Sequence, residues 1–102
     1  MASKNTTAGN RKVSEAAVER RLAKEVKATG GICWKLSAAW VAGTPDRLCL
    51  LPGGRVIFVE VKAPGKKPRK LQLLIHKKLR ALGFRVEVID TIEGVLTFIQ
   101  TC

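Results

Sequence analysis

Asp46, Glu60 and Lys62 have the types and spacing needed to work on a phosphodiester. A carboxylate pair offers hard oxygen ligands to a divalent cation. An ammonium beside it stabilises charge developing on an attacked phosphoryl group, or orients the attacking water. The backbone carbonyl of Val61, between Glu60 and Lys62, is a further candidate oxygen ligand. Donors of this kind suit Mg2+ or Mn2+ rather than zinc. The plain alternative is a hairpin whose charged ends are simply solvated. Against it, Glu60 and Lys62 continue an apolar run, Val56-Ile57-Phe58-Val59, where an unpaired charge is costly to bury.

The elements that must position these residues follow from the pattern around them. Apolar runs flank Pro52-Gly53-Gly54, and a Pro-Gly-Gly turn between such runs predicts a hairpin. Asp46 opens its first strand while Glu60 and Lys62 close its second, so the turn brings the charges together. Alternation along a strand puts Glu60 and Lys62 on one face and Val61 on the other. Gly43 and Pro45 predict a tight bend that delivers Asp46 to its strand. Upstream, Ser14 through Ala28 reads as a helix with Ser14 as N-cap and Gly30-Gly31 as its stop. Val18, Leu22 and Val26 form its apolar stripe, with Glu15 and Glu19 on or beside it. A carboxylate at that edge needs a basic partner or a metal. Ile32 to Leu36 begins a strand, with Trp34 expected in the core, and the chain then becomes irregular as far as Val41. Trp40 is expected exposed, free to rest on a sugar or base edge.

Downstream, a second helix over residues 69–82 has Leu71, Leu74, Ile75, Leu79 and Leu82 as its expected buried stripe. Gln72 lies at the edge of that stripe, and His76, the lone histidine, falls on the polar side. Phe84 to Asp90 alternates and reads as a strand joined by a right-handed crossover if parallel to the Glu60 strand. Residues 91–94 read as a turn or short helical piece, and residues 95–99 are strand-like by composition.

One hundred and two residues make one small domain, and a net charge of +11 predicts attraction to a polyanion, nucleic acid before acidic lipid. No apolar run approaches membrane-spanning length, and the polar opening lacks a signal-peptide core. Cys33, Cys49 and Cys102 show neither disulfide nor zinc spacing, which points to a reducing, cytoplasmic setting. Tyrosine is absent, which leaves little for an aromatic stacking platform. The loop from Ala63 to Lys70 clusters Lys66, Lys67, Arg69 and Lys70, a phosphate-binding strip or a solvated loop. Lys35 faces the same groove or snorkels to solvent, and Arg47 pairs with a phosphate or with one of the acids. Residues 1–13 read as a flexible basic lead.

Pro45-Asp46, a hairpin, then Glu60-Val61-Lys62 resembles the signature of PD-(D/E)XK nucleases. The string Gly43-Thr44-Pro45-Asp46-Arg47, the later Leu71-Gln72 and the order of elements are similar to the VRR-NUC branch, from about Glu15 to Asp90. The resemblance implies an α/β, restriction-endonuclease-like core, a small mixed β-sheet with flanking helices, in one nuclease domain over residues 14–102. It implies that Val18-Glu19-Arg20-Arg21-Leu22 supplies an additional site carboxylate, Glu19, acting through a metal-held water, with Glu15 as the second choice. It supports Gln72 as a site residue and favours a helix around residues 95–99. Stand-alone members are similar homodimeric enzymes acting on branched DNA, including four-way (Holliday) junctions, with no membrane and no small-molecule organic cofactor. Two other readings compete. A sequence-specific restriction-type endonuclease needs recognition loops that this chain has little room for. A non-catalytic basic DNA-binding protein accounts for the charge but not for carboxylates that repel phosphate unless a cation bridges them.

Overall fold

The computed structural model describes residues 13–37 and 39–102. Except for Val13, the expected basic lead lies outside the described residues, as does Ala38 in the irregular stretch before the hairpin. The order is α1 (Glu15–Ala28), β1 (Ile32–Lys35), β2 (Arg47–Leu51), β3 (Arg55–Val61), α2 (Lys70–Ala81), β4 (Arg85–Ile89) and α3 (Ile92–Gln100). The strands form one mixed sheet in the order β1-β2-β3-β4, antiparallel except for the parallel pair β3–β4. This is the expected small mixed sheet with flanking helices.

Each element follows from local chemistry. Ser14 caps α1, its hydroxyl oxygen accepting from the Ala17 amide at 3.1 Å. Gly53 and Gly54 turn the hairpin at φ of 86° and 75°, where a side chain would strain the backbone. Thr91 caps α3 by accepting from the Gly94 amide at 2.8 Å. That cap decides residues 92–100 in favour of helix, against the strand-like composition of the segment.

The core lies between one face of the sheet and the pair α1–α3. Val18, Leu22 and Val26 of α1 meet Cys49, Leu51, Ile57, Val59, Val61 and Ile89 from the strands, with Val95 and Phe98 of α3. Period-two alternation therefore sends Ile57, Val59 and Val61 into this core and turns Glu60 to the opposite face. That face is covered by α2, and it departs from expectation in two places. The buried residues of α2 are Gln72 and His76, whereas Leu71, Leu74 and Leu82 are exposed. The helix is thus rolled away from the stripe its leucines predict, because the sheet presents it a carboxylate that needs polar partners. Trp34, expected in the core, is more than half exposed, since α2 packs at the β4 side and leaves the outer surface of β1 uncovered.

Candidate active site

Glu60 is the centre of the polar face. Its side chain is 1 % exposed, and three nitrogen-bearing groups surround it beside Asp46. Gln72 donates from Nε2 to Oε2 at 2.9 Å, Lys62 Nζ lies 3.6 Å from the same oxygen, and His76 Nε2 lies 3.4 Å from Oε1. Gln72 is itself held at its other end, because its Oε1 accepts from the Arg69 amide at 2.8 Å. The start of α2 and the orientation of a site side chain are therefore fixed by one residue.

Asp46 reaches the same place from the approach to β2. Its Oδ2 accepts from the Val61 amide at 2.6 Å, tying the open ends of the hairpin together. The bend before it depends on Gly43, at φ 84°. A Cβ there would meet the Leu71 carbonyl oxygen and side chain at 2.9 Å, so the loop can lie on α2 only with glycine at this point.

Burial, and next the neighbouring Asp46 charge, push the Glu60 carboxyl from its ordinary 4.5 up to about 7, while Lys62 pulls the other way. His76 is held below its ordinary value, first by burial and then by the charges of Arg80 and Lys62. Two close carboxylates with too little compensating positive charge are the donor chemistry that a hard divalent cation satisfies. Mg2+ in particular takes one or two carboxylates and keeps several waters. Among the described residues, no group of three or more His, Cys, Asp or Glu side chains converges as metal ligands.

Glu19 is engaged elsewhere. It accepts from Arg47 Nε at 2.8 Å, with Lys35 Nζ at 3.8 Å. Arg47 also donates to the Cys33 carbonyl at 3.1 Å, so two of its three guanidinium nitrogens are bonded within the protein. Of the two alternatives for Arg47, the structure brings it to an acid. Lys35 keeps its side chain largely exposed, as do Lys66, Lys67 and Arg69 in the loop leading into α2 and Lys70 at its first position. Glu15 is exposed. The geometry thus gathers Asp46, Glu60, Lys62 and Gln72, and sets Glu19 in a separate ion-paired cluster with Arg47 and Lys35.

His76 is the residue that the helical pattern misplaces. Expected on the polar side, it is fully buried against Glu60. Its spacing of four from Gln72 is the signal that locates it, since residues so spaced share a helix face.

No family model matches the chain. The curated "Putative nuclease p44" of Acyrthosiphon pisum secondary endosymbiont phage 1 is 47 % identical over 81 residues, spanning 79 % of this chain and 87 % of that protein. A solved structure described as a VRR_NUC domain superposes with a TM-score of 0.79 at 32 % identity, covering 86 % of this chain and 97 % of its own. The chain belongs to the VRR_NUC family. As a VRR_NUC protein it is a member of a nuclease family with a restriction-endonuclease-like α/β core. No helix among its described residues is long and apolar enough to cross a membrane.

The raised Glu60 value makes stability depend on pH in a definite direction. The folded VRR_NUC chain retains a proton that the unfolded chain releases near 4.5. This contribution is fully present below 4.5 and is lost as pH rises through about 7. The metal-free chain should therefore melt at a lower temperature near pH 8 than near pH 5, by an amount that shrinks in Glu60→Gln. Thermal melts with the same pH response in parent and variant would remove Glu60 as its source.

Proposed function

We propose that the chain is a Mg2+- or Mn2+-dependent endodeoxyribonuclease that cuts branched duplex DNA, four-way junctions foremost, as a homodimer. The observation that carries this reading is the convergence of Asp46 and Glu60 beside Lys62, with Gln72 fixed on Glu60. Asp46, Glu60 and the Val61 carbonyl would hold the cation, and Glu19 would join through a water. When bound, the cation supplies an activated water and neutralises charge on the phosphoryl oxygens. The chain's own residues do the rest. Lys62 orients the water or stabilises the developing charge, and Gln72 holds Glu60 in place. The exposed Lys66, Lys67, Arg69, Lys70 and Lys35 hold the phosphate backbone. Arg47 keeps Glu19 oriented and its remaining guanidinium capacity is available to a phosphate.

The dimer accounts for an apolar surface. The Gly43 bend lies against Leu71 and Ile75, so the half-exposed Leu71 and Leu74 adjoin a loop carrying exposed Trp40 and Val41. A second copy covering this surface would pair two sites about a twofold axis, the arrangement that paired cuts in a junction require. A domain this small has little room for a base-reading module and recognises phosphates and DNA shape more readily than sequence.

The decisive experiment compares cleavage of a four-way junction, a flap and linear duplex of the same sequence, with Mg2+, Mn2+ or chelator, alongside light scattering. We expect a dimer, faster cutting of the junction, and no cutting under chelator. Leu74→Glu should yield monomers and slow junction cutting. A parent chain that is monomeric at saturating activity and cuts linear duplex as fast as junction contradicts both the dimer and the substrate. Cutting that persists under chelator contradicts the metal.

A further inference from the structure

Helix α2 buries an imidazole while Leu71 and Leu74, on the same helix, stay exposed. His76 has no solvent exposure, and Leu82, at the end of the helix, is exposed as well. Desolvating a histidine is unfavourable unless its ring nitrogens find partners, and here one does not. Nδ1 is buried with no hydrogen-bond partner among the described residues. The other nitrogen, Nε2, lies 3.4 Å from Glu60 Oε1.

The two tautomers are not equivalent in this setting. With the proton on Nδ1, a buried donor would have no acceptor, and the Nε2 lone pair would confront a carboxylate oxygen. With the proton on Nε2, the ring donates to that oxygen and only a lone pair is left without a partner. When Glu60 is ionised, as it must be to take a cation, its oxygens only accept, so the second arrangement is the one compatible with these neighbours.

The contact matters because of what already holds the other oxygen. A carboxylate has about four lone-pair sites. Among the described residues, Gln72 Nε2 and Lys62 Nζ are the nitrogens near Oε2, at 2.9 Å and 3.6 Å, and His76 Nε2 is the nitrogen near Oε1. Without His76 the carboxylate would keep its nitrogen donors at Oε2 and lose the one at Oε1. With His76 it is gripped at both, and the remaining capacity is left for the Asp46 side of the site.

We propose that His76 is a positioning residue, whose Nε2–H fixes the Glu60 carboxylate in the orientation in which it and Asp46 take a divalent cation. This rests on the reading of the acids as a Mg2+ or Mn2+ site. His76 touches neither substrate nor cation, and its effect passes through Glu60.

The test titrates Mn2+ into the full chain without DNA, following free ion by electron paramagnetic resonance, for the parent, His76→Leu and His76→Gln. Leucine fills the space without a donor, while glutamine carries an amide nitrogen near the position of Nε2. We expect Mn2+ affinity to weaken about tenfold or more in the leucine variant, the usual effect of losing a group that orients a ligand. Glutamine should restore it to within about threefold. In cleavage assays the Mn2+ concentration for half-maximal rate should rise in step, with the rate at saturating metal little changed. His76→Met replaces the leucine variant if that chain does not fold. Parent-like Mn2+ affinity in the folded leucine or methionine variant overturns this proposal alone. Glutamine binding as poorly as leucine also overturns it, because the donor would then not be what matters. A parent chain that takes up no Mn2+ overturns both this proposal and the reading of the acids.

Discussion

Replacing Asp46 by Asn, or Glu60 by Gln, should lower DNA cleavage by about a thousandfold or more while leaving DNA binding within a few-fold of the parent. Each substitution is nearly isosteric, so the hairpin and α2 keep their shapes. What is lost is the paired negative charge that would draw a cation to the β3–α2 junction. In Asp46→Asn the new amide keeps an oxygen to accept from the Val61 amide, which Asp46 now does at 2.6 Å, so the hairpin ends stay tied. The Glu60→Gln change removes the carboxylate that burial and Asp46 hold at about 7, and with it the excess charge awaiting a cation. Lys62→Ala should slow cleavage by roughly a hundredfold or more with little change in affinity, as expected of a group acting on developing charge. Single-turnover rates at saturating metal, with binding measured in parallel, separate these outcomes. Either acid variant cutting at the parental rate would end the assignment of that residue.

The second large effect belongs to the loop before α2. Lys66, Lys67, Arg69 and Lys70 are exposed, and none takes part in an ion pair among the described residues. Each phosphate contact made by such a side chain releases counterions, so the logarithm of affinity falls with the logarithm of salt by about 0.9 per contact. Replacing all four by alanine should flatten the salt slope by as much as about three to four and weaken binding at least about tenfold at moderate salt. The loss should be the same for every DNA sequence. The fold should persist, because the backbone holds of this segment survive: Gly65 donates to Asp90 at 3.1 Å and the Arg69 amide to Gln72 at 2.8 Å. An unchanged slope and affinity would make this a solvated loop.

What the sequence makes legible here is whatever local chemistry decides. Pro52-Gly53-Gly54 can hardly be anything but a turn, and strand alternation then places Glu60 opposite the Val59–Val61 face without any tertiary information. Ser14 and the Val18, Leu22, Val26 stripe set α1 and its buried side in the same way. Legibility fails where a neighbour's chemistry outweighs an element's own pattern. On hydrophobicity alone α2 should bury its leucines. Glu60 stands beneath it as a buried acid, and the helix turns Gln72 and His76 toward it instead. The error over His76 and the error over Leu71, Leu74 and Leu82 are one rotation seen from two sides. In α3 the β-branched Val95, Thr97 and Ile99 favour strand, while the cap of Thr91 on Gly94 fixes the helix. Trp34 misleads for a different reason, since hydrophobic bulk does not say whether another layer lies above a strand. For Glu19, position on the helix showed that it needed a partner but could not show which, and in the structure Arg47 and Lys35 are its partners.

The parallel pairing of β3 with β4 also bears on the order in which the chain can assemble. Strands β1, β2 and β3 form a meander of sequential antiparallel neighbours, joined at the hairpin by a tight turn. Val61 and Ile89, paired across β3 and β4, are separated by the whole of α2 and its flanking loops. Bringing distant segments together carries a larger loop-closure entropy than closing a short turn, and non-local parallel pairing is correspondingly slow. A chain that has formed only the meander therefore carries Glu60 on a wet, open surface, with Gln72 and His76 still on an undocked segment. The carboxylate then lacks the burial that does most to raise its value, although Asp46 already stands beside it. The covered, three-donor setting of Glu60 is completed with the long-range closure, so the site and the fold are finished together.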